Sequence, residues 1–309
     1  MGRTTFRGQI YRALDAIDRR GESKHLAKQA QDWKPGQPVY GIFSDGTQDT
    51  VFDRAMTFAN WLDDNYPDTR LFREVDEEHV IEFMMWKTEM CQSNTVGAML
   101  SALRKLQEGL LAMKWIREPI VPAEWDAEGK NIPRGAYPSD EAERIIRHVN
   151  RRNPEYGQAL RFILSSGARI DEVFHLRSDK VFLTEGKVEL LGKGGKTRRV
   201  RVLRKETLFE LDLSKRFVYL DRRKLRTWKD GLRAAVCKAC DELGFQRHGV
   251  HGFRGTAAGE FLRVKRLLGY DETEGRHELA QWLGHNSHRI EVTYAYVPRR
   301  GGDYETCRF

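Results

Sequence analysis

Two arginines, two histidines, a lysine and a tyrosine stand out in this sequence because their side chains together could break a phosphodiester bond. They lie in five short segments, SSGARIDEVFHL, LLGKGGKTRRV, HGVHGFRGTAAGEFL, LAQWLGHNSH and EVTYAYV. Each segment alone is weak evidence, because a lone arginine is usually a surface residue and a lone histidine is usually a satisfied core residue. The order and spacing of the five segments favour a shared chemical role.

Breaking a phosphodiester without a metal ion places extra negative charge on the non-bridging oxygens of the transition state. Arginine can neutralise that charge, because its guanidinium group stays protonated and binds two oxygens at once. The attacking hydroxyl must lose a proton and the leaving 5′ oxygen must gain one, so a base and an acid must lie nearby. A tyrosine nucleophile conserves the bond energy for rejoining. We expect no metal and no cofactor.

The five segments resemble the motifs of the tyrosine recombinases, the lambda-integrase class of site-specific DNA recombinases. SSGARIDEVFHL is similar to their TGxRxxEL segment, and GKGGKTRRV is similar to their hairpin lysine motif, GKGxKxR. HGFR matches their HxxR, and the LGH of this chain is followed nine residues after its histidine by a tyrosine, as in the family. The resemblance covers about residues 45–300.

The resemblance implies a role for each matched residue. Arg169 and Arg254 would clamp the scissile phosphate, and His285 would hydrogen-bond the phosphate from the other side. His251 would accept the proton of Tyr294, which would form a 3′-phosphotyrosyl link.

Three further side chains belong to this expected site. Lys193 would protonate the leaving 5′ oxygen, and Lys196 is its rival because the turn glycines leave both lysines accessible. Glu172 follows Arg169 by one helical turn. It would orient an active-site arginine or histidine, or it would be an ordinary surface carboxylate.

Two features of the sequence complicate the match. Tyr296 competes with Tyr294 as the nucleophile, although its spacing from His285 is wrong for the family. The distance along the chain from Arg254 to His285 is longer than expected, so we predict an inserted loop within residues 263–278.

Two domains are expected to position these residues, which makes the fold class mostly α with a small β-sheet. Residues 44–118 carry apolar side chains at helical spacing and predict a helical core-DNA-binding domain. Residues 119–138 are rich in proline and glycine and predict a linker. Residues 139–309 predict an α+β catalytic domain with a C-terminal tail, and residues 1–43 an N-terminal extension or arm that includes one helix.

Two local structures are predicted inside the catalytic domain. KVELLGKGGKTRRVRVL alternates around a glycine-rich turn and predicts a β-hairpin, with Val188 and Leu190 on one strand and Val200 and Val202 on the other. A helix is predicted to start at Ser139, which is a favourable N-cap residue.

The charge of the chain favours a polyanionic partner, since 53 Lys and Arg residues outnumber 45 Asp and Glu residues and give a net charge of +8. We expect double-stranded DNA. The candidate DNA-binding residues are Arg104, Lys105, Lys114, Lys196, Arg222, Arg223, Lys224 and Arg226. The alternative for these residues is a solvated basic face.

Other classes of protein are disfavoured. No run of 18 apolar residues predicts a membrane span, and the N-terminus has no signal-peptide core, so we expect a cytoplasmic, nucleoid-associated protein. The four cysteines do not form a disulfide framework, and Cys237 and Cys240 lie in a segment that predicts a helix.

The leading hypothesis is a site-specific recombinase. The extension of residues 1–43 and the insertion favour a mobile-element integrase among the recombinases. Four protomers would join two DNA sites and exchange strands through a Holliday junction, with accessory factors as further partners. One alternative with the same chemistry is type IB topoisomerase-like DNA relaxation, and another is Xer-type chromosome or plasmid dimer resolution. A third is a DNA-binding protein that lost turnover.

Overall fold

The structure, a computed structural model, describes residues 5–30, 34, 37–125, 135–192, 195–219, 225–285 and 289–298. The chain divides into two compact units, residues 1–132 and 133–309. The division falls within the expected linker, residues 119–138. Among the described residues, no helix is long and apolar enough to cross a membrane.

In the described part of the first unit, the regular elements are helices joined by loops. Its helices are α1 (Phe6–Asp15), α2 (Lys24–Ala30), α3 (Asp45–Asn65), α4 (Glu77–Met90) and α5 (Ser93–Ala112). The apolar stripes of α3, α4 and α5 meet in one core, as their helical spacing predicts.

Helix α1 changes the interpretation of residues 1–43 as an extension or arm. Its apolar residues Phe6, Ile10 and Leu14 are buried in the same core as α3 and α5. Gln9 is also buried, because its side chain donates to the carbonyl of Arg70 and accepts from the backbone N–H of Phe72. The spacing of the apolar residues predicted the helix, but it gave no indication of the distant segments that cover it.

Helices α1 and α5 approach closely at one glycine. A Cβ atom at Gly109 would overlap the backbone carbonyl of Ala13 in α1. By contrast, a Cβ atom at Gly97 on the same helix α5 would meet open space. The close contact therefore depends on the missing side chain at Gly109.

The second unit combines helices with a small sheet. Its helices are α6 (Ser139–Arg152), α7 (Pro154–Ser166), α8 (Ile170–Phe174), α9 (Leu225–Leu243), α10 (Gly249–Leu267) and α11 (Glu272–Trp282). Its strands β1 (Val181–Phe182), β2 (Lys187–Leu191) and β3 (Thr197–Arg201) form an antiparallel sheet in the order β1-β2-β3. The helices and the inner face of the sheet enclose one apolar core.

The predicted hairpin is confirmed. Val188 lies opposite Val200, and Leu190 lies opposite Arg198. Val188, Leu190, Val200 and Val202 are all buried, which agrees with the alternation of apolar residues along the two strands.

One local prediction was wrong, and another was right only in part. Residues 263–278 are mainly helical, since α10 continues to Leu267 and α11 begins at Glu272. The side chain of Asp271 accepts a hydrogen bond from the backbone N–H of Glu274 and caps α11, so part of the segment predicted to be a loop starts a helix instead. Helix α6 starts at Ser139 as predicted, but its N-cap is Pro138, and the hydroxyl of Ser139 donates to Glu260 at 3.2 Å instead.

The α1–α5 contact can be tested by substituting Gly109→Ala. We expect the free energy of unfolding to fall by about 1–3 kcal/mol, because the added methyl group overpacks a backbone contact. Gly97→Ala is the matched control on the same helix, and it should be neutral or stabilise by up to about 1 kcal/mol. Urea denaturation followed by circular dichroism measures both. Equal effects of the two variants would show that α1 does not pack on α5.

Candidate active site

The turn between α7 and α8 positions the first motif arginine. Gly167 ends α7 with a φ of +60°, and a side chain there would collide with the indole ring of Trp282. The chain then turns so that Arg169 caps the start of α8. Glycine is therefore required at this position both for backbone conformation and for space.

Glu172 is the centre of the arrangement that follows. Its side chain is only 1% exposed. Its Oε2 accepts a hydrogen bond from the backbone N–H of Arg169 at 2.7 Å, and its Oε1 accepts one from Nη1 of Arg169 at 2.9 Å. From strand β3, Arg198 donates Nη1 to Oε1 at 2.5 Å and Nη2 to Oε2 at 2.9 Å. One buried carboxylate thus holds two guanidinium groups.

The charge state of Glu172 follows from these contacts. Burial alone would raise the pKa of Glu172, but the charge of Arg198 and the hydrogen bonds from Arg198 and Arg169 hold the pKa below its usual value. The carboxylate is therefore ionised at neutral pH, and it is not the surface carboxylate that the sequence also allowed.

Arg254 lies on the buried face of α10. Its Nη1 donates to the carbonyl of Gly167, its Nη2 donates to the carbonyl of Leu283 at 2.6 Å, and its Nε donates to the hydroxyl of Tyr296 at 3.2 Å. All three acceptors are neutral oxygens. Burial lowers the pKa of Arg254 to about 10, so the group still carries its positive charge at neutral pH.

His285 lies half-buried among cationic groups. Burial, and then the charges of Arg169 and Arg254, lower the pKa of His285 to about 4, so its ring is neutral at neutral pH. Its buried Nε2 atom has no hydrogen-bond partner in the described part of the chain, and the same is true of Nε of Arg198. Buried polar atoms are normally paired, so these two atoms are free to bond a ligand that enters the pocket.

The two candidate nucleophiles have different arginine neighbours. The ring of Tyr296 lies 5.4 Å from the ring of His251 and 6.4 Å from that of His285, between centroids, and its hydroxyl accepts from Arg254. The ring of Tyr294 lies 3.9 Å from Cζ of Arg276. The hydroxyl that contacts Arg254 therefore belongs to Tyr296.

Arg276 also fixes the segment that carries both tyrosines. It is buried on α11, where its Nε donates to Glu272 at 2.6 Å. Its Nη1 donates to the hydroxyl of Thr293 at 3.1 Å and to the carbonyl of Val297 at 3.0 Å. These bonds hold the short 3-10 helix Ile290–Ala295 against α11.

The lysine candidates are only partly described. Lys193 lies outside the described residues. Lys196 is exposed, and its carbonyl accepts the backbone N–H of Gly192 at 2.7 Å, which closes the base of the hairpin turn.

The candidate DNA-binding residues divide into three groups. Arg222, Arg223 and Lys224 lie outside the described residues. Lys114 is exposed, and the side chain of Arg226 is 95% exposed, so both are accessible to a polyanion.

Two basic residues of the first unit have structural contacts instead. Arg104 donates to the carbonyls of Pro122 and Ala123 at the end of the unit. Lys105 forms an ion pair with Glu108 at 2.7 Å and also donates to a backbone carbonyl. These bonds compete with any phosphate contact.

Sequence reasoning missed Arg198 and Arg276 as members of the site. A signal for Arg198 was present, because alternation along β3 places it on the same buried face as Val200. A charged residue on a buried face requires a partner, and Glu172 is that partner. Nothing in the sequence connected Arg276 with the tyrosines.

The low pKa of His285 makes stability depend on pH. The folded protein holds this pKa at about 4, whereas the usual value is 6.5. Between these values the unfolded chain binds more protons, so the free energy of unfolding falls as the pH falls from 6.5 towards 4. We expect this fall to be smaller in His285→Gln, as measured by urea denaturation at several pH values. Parallel curves for the two proteins would contradict the assignment.

Comparison with known proteins adds one sequence relative. No protein-family model matches the chain. The chain is similar to the tyrosine recombinase XerD of Shewanella oneidensis, with 27% identity over 133 residues. These residues are 41% of this chain and 44% of XerD, so the match spans less than half of the curated relative.

Solved structures with the same fold cover most of the chain. A lambda integrase tetramer bound to a Holliday junction matches 87% of this chain and 75% of its own, with a TM-score of 0.60 and 14% identity. The recombinase XerH in a post-cleavage complex with difH substrate matches 94% of this chain and 90% of its own, with a TM-score of 0.60 and 14% identity. Identity this low shows the fold alone. The chain therefore has the fold of these solved recombinases, and part of it is similar in sequence to XerD.

Proposed function

We propose that this protein is a site-specific recombinase that cleaves and rejoins DNA through a 3′-phosphotyrosyl intermediate. The observation that carries the proposal is the charge of the pocket. Glu172 binds the guanidinium groups of Arg169 and Arg198, while the charged Arg254, bound only to neutral oxygens, and the neutral His285 lie nearby. Two positive charges therefore remain without a carboxylate.

This excess charge suits phosphoryl transfer. A phosphodiester carries one negative charge, and its five-coordinate transition state carries two. A buried pocket with two uncompensated positive charges therefore stabilises the transition state more than the ground state, which is the requirement for catalysis.

The contacts of each residue support its proposed role. Arg169 and Arg254 would bind the non-bridging oxygens, and a phosphate oxygen would replace the hydroxyl of Tyr296 as the acceptor for Nε of Arg254. The unpaired Nε2 of His285 would hydrogen-bond the phosphate. His251, whose ring lies beside that of Tyr296 in the free protein, would accept the proton of Tyr294 once the tyrosine segment has shifted.

Tyr294 is the proposed nucleophile, because it follows His285 by nine residues. Its phenolic oxygen would attack phosphorus while the bond from phosphorus to the 5′ oxygen breaks. Lys193 would donate a proton to that oxygen. Attack by a 5′ hydroxyl on the phosphotyrosine would later rejoin the strand, so no external energy source is needed.

One observation favours Tyr296 as a second candidate, since its hydroxyl is the one that contacts Arg254. For Tyr294 to attack, the segment Ile290–Ala295 would have to shift when DNA replaces Tyr296 at Arg254. We propose this shift as part of DNA binding.

The finer role that we propose is integration of a mobile element. A tetramer would exchange strands through a Holliday junction. Lambda integrase, which has the same fold, has been solved as a tetramer bound to such a junction. Xer-type resolution is the alternative, because XerD and XerH are also similar to this chain. Phosphate contacts should make DNA affinity fall steeply with salt concentration.

Covalent trapping tests the function and the nucleophile together. The substrate is a nicked duplex built from direct repeats that flank the gene. We expect a protein–DNA adduct on a denaturing gel with the unsubstituted protein and with Tyr296→Phe, but none with Tyr294→Phe. Tyr270→Phe, on the exposed turn between α10 and α11, is the matched control and should retain the adduct.

The other outcomes are equally informative. An adduct with Tyr294→Phe and none with Tyr296→Phe would make Tyr296 the nucleophile. Relaxation of a supercoiled plasmid that lacks the repeats would favour the topoisomerase alternative. DNA binding with no adduct and no relaxation would indicate a protein that binds DNA without turnover.

A further inference from the structure

We propose that Arg198 is a positioning residue, which keeps Arg169 available to the scissile phosphate by occupying Glu172. The inference rests on the proposed function. It assigns to the hairpin strand β3 a role separate from that of the lysines on its turn.

The geometry of the three side chains carries the inference. Arg198 uses both terminal nitrogens and engages both oxygens of Glu172. Arg169 meets the same carboxylate through Nη1 on one oxygen, Oε1. The two arginines therefore share Glu172 unequally, and Arg198 has the two-pronged contact.

Exposure agrees with this division. The side chain of Arg198 is 13% exposed, whereas that of Arg169 is 34% exposed. Arg198 is thus enclosed in the protein with its carboxylate. The guanidinium group of Arg169 lies at the surface of the pocket, where a ligand can reach its remaining nitrogens.

Removal of Arg198 would change how Arg169 binds. A buried carboxylate that loses one of two cationic partners becomes strongly attractive to the other. Arg169 would then form the two-pronged contact with Glu172 and turn its fork away from the pocket. Arg198 prevents this change because it already binds both oxygens of the Glu172 carboxylate.

A neighbouring glycine shows how closely Arg198 is fitted. A Cβ atom at Gly284 would overlap the guanidinium group of Arg198, and Gly284 has a φ of +76°. Gly284 directly precedes His285 in the chain. From β3, Arg198 therefore contacts two other parts of the site at once, Glu172 on α8 and the segment that carries His285.

The test is a double-substitution cycle read by the single-turnover rate of adduct formation at saturating nicked DNA. We expect Arg198→Met to lower the rate about 100-fold, since a displaced catalytic group costs this much. Glu172→Gln should lower the rate only about tenfold. Arg169 loses the carboxylate that orients it, but no carboxylate remains to draw it away from the phosphate. The double variant should match Glu172→Gln alone, because no carboxylate remains to capture Arg169.

Controls separate this role from general damage to the fold. Arg204→Met removes another arginine that bridges two carboxylates of the same unit, Glu143 and Glu260, and should leave the rate near that of the unsubstituted protein. Circular dichroism and the Kd for DNA should stay nearly unchanged in Arg198→Met. If Arg198→Met does not fold, recovery of the fold and of the rate in the double variant still supports the inference.

Three results would overturn the inference. These are a normal rate in Arg198→Met, a double variant in which the two losses multiply, and an equal loss in Arg204→Met. Absence of an adduct with the unsubstituted protein would instead refute the proposed function, so the two failures are distinguishable.

Discussion

The buried carboxylate of Glu172 between Arg169 and Arg198 is the interaction on which the rest of the site depends. Removing a carboxylate from water is costly unless cations and hydrogen bonds replace the lost hydration. Here the replacement comes from two guanidinium groups and one backbone N–H. Because Arg169 lies in the turn before α8 and Arg198 lies on β3, the same carboxylate joins the turn after α7 to the hairpin.

The remaining positive charge is kept in place by the fold rather than by further acids. Arg254 is held by the carbonyls of Gly167 and Leu283 and by the hydroxyl of Tyr296, all neutral groups. Burial lowers the pKa of Arg254 and of His285, so the protonated, positively charged form of each group is less stable in the free protein than it would be in water. Active sites often accept such a cost in stability, and an anionic ligand would relieve it.

The sequence predicted the parts of this arrangement that follow from local patterns. The alternation that placed Val188 and Leu190 on one face of a strand predicted the hairpin. Sequence reasoning failed where non-local contacts decide. The burial of Ile10 depends on α3 and α5, and the partnership of Arg198 with Glu172 crosses two elements.

The tyrosine segment shows the same limit. Spacing from His285 selects Tyr294, whereas the contact with Arg254 is made by Tyr296. The anchor of this segment, Arg276, lies in residues 263–278, which we predicted to form a loop and which are mainly helical. Motif spacing identifies residue types in order, but it does not show which conformation the intervening chain adopts.

The most direct test of the charged pocket is a crystal structure of the protein with orthovanadate and a nicked duplex that ends in a 5′ hydroxyl. Vanadate can adopt the five-coordinate geometry of the transition state between the tyrosine and that hydroxyl. We predict that its equatorial oxygens contact Arg169 and Arg254, while Glu172 remains bound to Arg198. Vanadate bound away from these arginines, or a Glu172 carboxylate released from both of its arginine partners, would contradict the account.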